Sequence, residues 1–396
     1  MVRLLALLSC ALLLAACNDK ATGIGSEIIP GTDTLFPSTS SIDSLITATS
    51  TVQKRESMFN NTYALLGKTT DSDARMFVEF VSWPTFFRDT SPVRVISADL
   101  RMVPAPYVYG DTIDKRLAYS IYELQQTWSP QATWDTIWNA DGSSSYYSPA
   151  QPAIGAFDRS ITLADSAGFY TQLDTALIHR WLVLASDSTT RTQIKGMVLL
   201  PTSGNTVQQI RALDSKNVPL SILRLVYQHR DSATPDTINV QSTVACFVNT
   251  PVPAAGGLIV QGAHIQQTEL KVDLSSLRPN ALIMNGALRL TLDQASTIPG
   301  NTGITEVLRL NYTTFQGGAQ AYFARYDSTQ KHYLFVNLAP ALQDMARHKF
   351  KGTFVIRPDG VDEFWRMTRV SFQPWSADTS ARPRLSLIYS VPQVIR

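Results

Sequence analysis

The sequence predicts an all-β protein of the β-sandwich type, and three observations carry that reading. The dominant hydrophobic period is two. In Arg75–Val81 the side chains of Met76, Val78 and Phe80 share one face, with Arg75 and Glu79 opposite. In Leu288–Leu292 three leucines face one way and Arg289 and Thr291 the other. Such alternation marks half-buried strands. Turn signals punctuate these runs at Gly110-Asp111, Asp141-Gly142, Ser203-Gly204-Asn205, Pro299-Gly300-Asn301 and Pro358-Asp359-Gly360. No long stretch has helical periodicity, and many short strands with frequent turns argue for packed sheets.

Taken in order, the chain opens with one positive charge (Arg3) and an apolar run from Leu4 to Ala16. That run is too short to span a bilayer, which takes about 20 apolar residues. A charged start, a short apolar core and small residues before a cut site make a secretory signal. Leu14-Ala15-Ala16-Cys17 narrows this further, because the segment resembles a bacterial lipoprotein signal. The resemblance implies cleavage after Ala16 and lipidation of Cys17. It places the protein in the cell envelope, at the outer membrane of a Gram-negative bacterium, with the face left open. An ordinary signal peptide that happens to contain Cys17 is the alternative.

Residues 17–41 read as a flexible tether rich in Gly, Ser, Thr and Pro. As a coil it would reach about 25–30 Å. Within it, Ile24–Asp33, taken with Leu65-Leu66-Gly67-Lys68 and Asp71, resembles the start of a Bacteroidetes family of lipoproteins of unknown function.

The length of 396 residues suits two domains. The net charge of +2, or +1 once Arg3 leaves with the signal, offers no basic stripe for nucleic acid. Of the three cysteines, Cys10 leaves with the signal, Cys17 carries lipid and Cys246 is alone. Cys246 sits in the apolar run Val244–Val248, so it reads as a small buried hydrophobe rather than a reactive thiol. An exported protein without a disulfide framework must be held by burial, which this length permits.

Two short helices interrupt the strands. Asp174 is placed to cap one carrying Leu177, Ile178 and Trp181. Asn337 is placed to cap another carrying Leu338, Leu342 and Met345, with Pro340 in its first turn. Each is followed by a Gly-led apolar strand (Gly196–Leu200, Gly352–Ile356), then a Pro and Gly turn. Each block closes on an alternating strand ending in tyrosine: Leu223, Leu225, Tyr227 and Leu385, Leu387, Tyr389. The same order recurring in both halves is an internal repeat. It predicts two tandem modules, 42–229 and 238–391, with the seam in the polar stretch His229–Thr237. One large sandwich with coincidental echoes is the alternative.

Four features of the first half resemble the DNRLRE modules of secreted bacterial proteins. They are the strand Ile96–Met102, the stretch Tyr119–Tyr122 leading to Trp128 and Trp134, the helix with Trp181 and its following strand, and the Pro219–Tyr227 ending. Ser129-Pro130 stand where that family carries an acidic residue, and the second half lacks the paired tryptophans. The resemblance implies jelly-roll-like sandwiches, usually noncatalytic and attached to carbohydrate-active or surface proteins.

For chemistry, no nucleophile elbow, zinc-protease helix, phosphate loop, dinucleotide fingerprint or C-x-x-C pair is present, and no cofactor is expected. His179, His229, His264, His332 and His348 are scattered, so no metal is expected there. Asp359, Asp362 and Glu363 form the densest acidic turn. It could hold calcium, but a solvated turn fits better. Trp128 and Trp134 read as core plugs. Trp138, Tyr146 and Tyr147, beside Asp141-Gly142 and three serines, read as exposed rings able to stack on a sugar face. The leading expectation is a lipid-anchored, noncatalytic envelope protein that binds a glycan or a protein partner or serves as a scaffold. The alternative is a carbohydrate-active hydrolase with carboxylates from separate strands, for which Glu123, Glu306 and Glu363 are candidates.

Overall fold

The computed structural model describes residues 34–39, 45–53, 58–59, 61–84, 93–250, 257–263 and 265–391. The signal, Cys17, the stretch Ile24–Asp33 and His264 lie outside them. Strands make up 51% of the structure and helices 12%, so the all-β expectation holds. Among the described residues there are two curled sheets of eleven strands each, and each folds over its own core.

The first module closes on itself. Strand Asp236–Asn249 pairs along its start with Ile222–His229 and along its remainder with Asp73–Phe80. The path Asp236–Asn249, Ile222–His229, Val93–Gly110, Thr206–Arg211, Tyr63–Lys68, Asp73–Phe80 is thereby a ring of six strands. Two long strands make this possible. Val93–Gly110 pairs first with Ile222–His229 and then with Thr206–Arg211, so one strand serves both faces. Inside the ring lie Met76, Val78, Leu100, Met102, Leu223 and Leu225. The expected period-two alternation produces this inner face.

Helix α1 (Thr175–Ala185) plugs this core with Leu177, Ile178, Trp181 and Leu182. Its cap is the expected one: the Asp174 carboxylate accepts from the Ala176 N–H at 2.8 Å. Helix α2 (Ala339–His348) does the same for the second core with Ala341, Leu342 and Met345. Here the expected cap is corrected. Leu338, not Asn337, is the N-cap, and it makes no side-chain bond. Asn337 has φ +60°, a left-handed conformation that asparagine tolerates, and it turns the chain before the helix. Two glycines seat α2. A Cβ at Gly286 would lie 2.4 Å from Leu342 Cδ1, and one at Gly352 would lie 2.2 Å from Met345 Cε.

The repeated order has a counterpart in the pairing. The closing strand Ile222–His229 lies beside Val93–Gly110, and Arg384–Val391 lies beside Leu282–Thr291. The Gly-led strands Met197–Ser203 and Gly352–Pro358 each sit between two neighbours on the opposite side. The second sheet is brought round by two isolated bridges from the segment after Leu282–Thr291 to the strand Arg369–Phe372, Leu292 with Phe372 and Ile298 with Arg369.

The module limits differ from the expected ones. Thr34–Thr39, expected in the tether, pairs with Arg384–Val391. Ile46–Gln53, expected in the first module, pairs with Gln266–Val272. The described part of the chain therefore begins in the second module, builds the first, and returns. Asp236–Asn249, expected to open the second module, belongs to the first. The expected seam is a hairpin connection, because Tyr227 pairs with Asp236 across it. A polar stretch with one proline reads equally well as linker or turn, and partner strands decide which it is.

The modules share a bonded interface. Asn301 accepts from Val108 N at 2.9 Å and donates to Pro106 O at 2.8 Å. Gln209 Nε2 donates to Trp365 O at 2.7 Å. Ala263, Ile265 and Met367 of the second module pack into the first module's core.

Candidate functional site

Phe77 and Phe247 point away from the ring interior, on the outer face of adjacent paired strands. The excursion 124–154 folds across them. Trp128, Trp134, Trp138 and Tyr147 form with Phe77 and Phe247 a separate buried cluster. Trp134 and Trp138 stack at 4.5 Å, and Trp138 meets the Phe247 ring edge-on at 5.1 Å. The Arg75 guanidinium lies 4.8 Å over Trp134 and 5.2 Å over Trp138. It also donates to Gly142 O at 3.0 Å and pairs with Asp73 at 2.8 Å.

The expected exposure of Trp138 and Tyr147 is therefore corrected. They are 3% and 8% exposed, and Tyr146 is half-buried. Trp128 and Trp134 are core plugs as expected, in this third cluster rather than the ring interior. Flat rings covered on both faces offer no platform for a sugar. Their physical role is to seal two outward phenylalanines from water.

The acidic turn is also corrected. Asp362 and Glu363 are buried in the one-turn helix Val361–Trp365. Glu363 lies 2.7 Å from both Arg309 and Arg357, and Asp362 lies 2.8 Å from Arg366. Asp359 faces Arg309 at 3.8 Å. Burial pushes the Asp362 carboxyl above its ordinary range, with Arg366 opposing. These oxygens face guanidinium groups rather than an open cation position. The remaining candidate carboxylates also meet arginines, Glu123 half-buried and Glu306 on the exposed surface. Glu123 accepts from Arg180 at 2.6 Å and from Trp181 Nε1 at 2.8 Å, and Glu306 pairs with Arg325 at 3.2 Å. Cys246 is fully buried as expected, and burial pushes its thiol up to about 12. Of the described histidines, His332 is buried and His348 sits 3.6 Å from Asp344.

One cavity was not anticipated. It has a volume of about 650 Å³ and lies between the segment 273–282 and helix α2. Its apolar wall includes Leu274, Leu277, Ala281, Ala346 and Phe350, and its rim carries Arg278, Arg347 and Lys349. Two chain segments about 70 residues apart make it, so no local motif marks it. Gln343 ties the two walls: its Oε1 accepts from Ile283 N at 2.7 Å and its Nε2 donates to Ala281 O at 3.3 Å. Arg278 lies 4.0 Å over the Phe36 ring, which stacks on Tyr389 at 5.4 Å. The cavity thus adjoins the first described strand of the chain. Among the described residues no helix is long and apolar enough to cross a membrane.

Neither a protein-family model nor a curated protein matches the chain. Among solved structures it is aligned with one described as the structure of infectious bursal disease virus Gt strain. The identity is 8%, covering 91% of this chain and 78% of that one, with a TM-score of 0.10. At that score the alignment carries no argument about fold or role.

Proposed function

We propose that this chain is a lipid-anchored, noncatalytic protein of the cell envelope, in which two β-modules act as one scaffold. Acyl chains on Cys17 anchor it, at about 0.8 kcal/mol per buried CH₂. The observation that carries the scaffold reading is the path of the chain. Thr34–Thr39, the first described strand after the proposed tether, is built into the second module against that module's last strand. An anchor at Cys17 therefore holds the second module directly, and the bonded interface carries the first with it.

The burial of Trp138 and Tyr147 favours a scaffold or protein-binding role over stacking on glycans. The arginine pairing of the buried Glu363 and the half-buried Glu123 favours structural roles over acid–base work for them. The test is fractionation of cells producing the parent or Cys17→Ala, with protease shaving of intact and lysed cells. The reading expects the parent in the membrane fraction and Cys17→Ala without acyl chains. It fails if the parent is recovered unacylated. Cutting on intact cells assigns the outer face, and protection until lysis assigns the periplasmic face.

A further inference from the structure

We propose that the cavity between the segment 273–282 and helix α2 binds an anionic amphiphile, a molecule with a hydrocarbon portion and a phosphate or carboxylate head. Three observations lead there. The first is size and lining. About 650 Å³ lies within the range of small-molecule sites, and Leu274, Leu277, Ala281, Ala346 and Phe350 supply apolar wall.

The second is charge. Arg278, Arg347 and Lys349 stand on the rim, and among the described residues none has a carboxylate partner. The one acidic residue of the lining, Asp273, is neutralised by Lys351 at 3.1 Å. Its carboxyl is held below the usual range by the Ser275 backbone and hydroxyl, with Lys351 adding to this, so it stays an anion committed to that pair. Cations at a helix C-terminus complement the helix dipole, which accounts for Arg347 and Lys349. Arg278 comes from the facing loop, where its guanidinium lies 4.0 Å over the Phe36 ring and lines the cavity without a carboxylate partner among the described residues. Convergence of cations from two segments on an apolar cavity is the arrangement an anionic head with a hydrocarbon tail requires.

The third is the surroundings. Leu282, in the cavity wall, and Leu35 both lie opposite Ser390, and both are exposed. Ile388, exposed and two residues before Ser390, lies between Pro37 and Asn285. Exposed apolar side chains thus stand on the strands beside the cavity wall, on either side of the buried Ser390. The proposal does not depend on the anchor at Cys17, since every feature it uses lies in residues 35–390.

The test uses the full chain in a Cys17→Ala background, so no sample carries acyl chains of its own. Dihexanoyl phosphatidic acid, monomeric in solution, is titrated calorimetrically beside neutral dihexanoylglycerol. Saturable binding of the phosphatidic acid is expected. Arg278→Gln should weaken it, the triple change of Arg278, Arg347 and Lys349 to Gln should weaken it by about tenfold or more, and Ala346→Trp, which fills the cavity, should abolish it. The exposed Arg278→Gln change decides the matter if the triple variant does not fold. Absence of saturable binding, equal binding of the neutral analogue, or binding untouched by Arg278→Gln and Ala346→Trp would overturn the proposal. Parallel titration with phosphatidylcholine vesicles, with and without phosphatidic acid, separates the sources. Charge-dependent vesicle binding lost in Ala346→Trp assigns a bilayer lipid, and binding of the monomer alone assigns a free amphiphile.

Discussion

The hydroxyl of Tyr107 in the first module accepts a hydrogen bond from the Met367 N–H of the second at 2.9 Å. The same oxygen lies 3.3 Å from Thr368 Oγ1, and burial pushes the phenol well above its ordinary range. Tyr107 is therefore a neutral, buried connector. Tyr107→Phe leaves the Met367 N–H without its partner and should cost about 1–3 kcal/mol, read as a lower melting temperature with the fold retained.

Gly300 tests the same interface sterically. Its backbone bridges Tyr109, and a Cβ there would lie 2.4 Å from the Tyr107 ring. Gly300→Val should part the modules locally. The parent should unfold in one calorimetric transition and the variant in two. A single unshifted transition in the variant would show that the modules are not held through this contact.

The aromatic cluster yields a stability prediction. Trp138 packs on Trp134, Phe77 and Phe247. Trp138→Ala should cost about 3–5 kcal/mol, measured by denaturant unfolding. A fully stable Trp138→Ala would mean that the excursion 124–154 does not seal the outer face of the ring.

Acid sensitivity should centre in part on Asp344. Burial raises its carboxyl, but hydrogen bonds from Tyr312 Oη (2.6 Å) and Phe315 N (2.9 Å), with His348 nearby, more than offset this and hold it below the ordinary range. A carboxylate depressed in the folded state stabilises above its unfolded pKa of about 4 and loses that contribution as pH falls through the folded value. Asp344→Asn should therefore be less stable at neutral pH by about 1–2 kcal/mol. Its stability should also fall less steeply below about pH 4 than the parent's.

Cys246 should be inert in the native state, because its thiol is fully buried and raised to about 12. Alkylation at mildly alkaline pH should label it only after denaturation. Rapid native labelling would contradict the packing of the ring interior.

Much of the fold was legible because it rests on local pattern. The alternation of Met76, Val78 and Phe80 marks an inner face, and Asp174 before an apolar helical period marks a cap. What was missed depends on distant partners. The pairing of Thr34–Thr39 with Arg384–Val391 joins the two ends of the described chain, and no local signal carries it. The burial of Trp138 and Tyr147 did leave a trace. Phe77 sits on the supposedly polar face of its strand, and Val244–Val248 is apolar without alternation, as for strands covered on both faces. The cavity left none, since Arg278 and Lys349 meet only through the packing of α2.

Whether the protein is an anchored scaffold is decided by the intact mass of the processed protein extracted from membranes. The mass should be that of a chain beginning at Cys17 and carrying acyl chains. A processed chain that begins elsewhere, or that bears an unmodified Cys17 thiol, would contradict it.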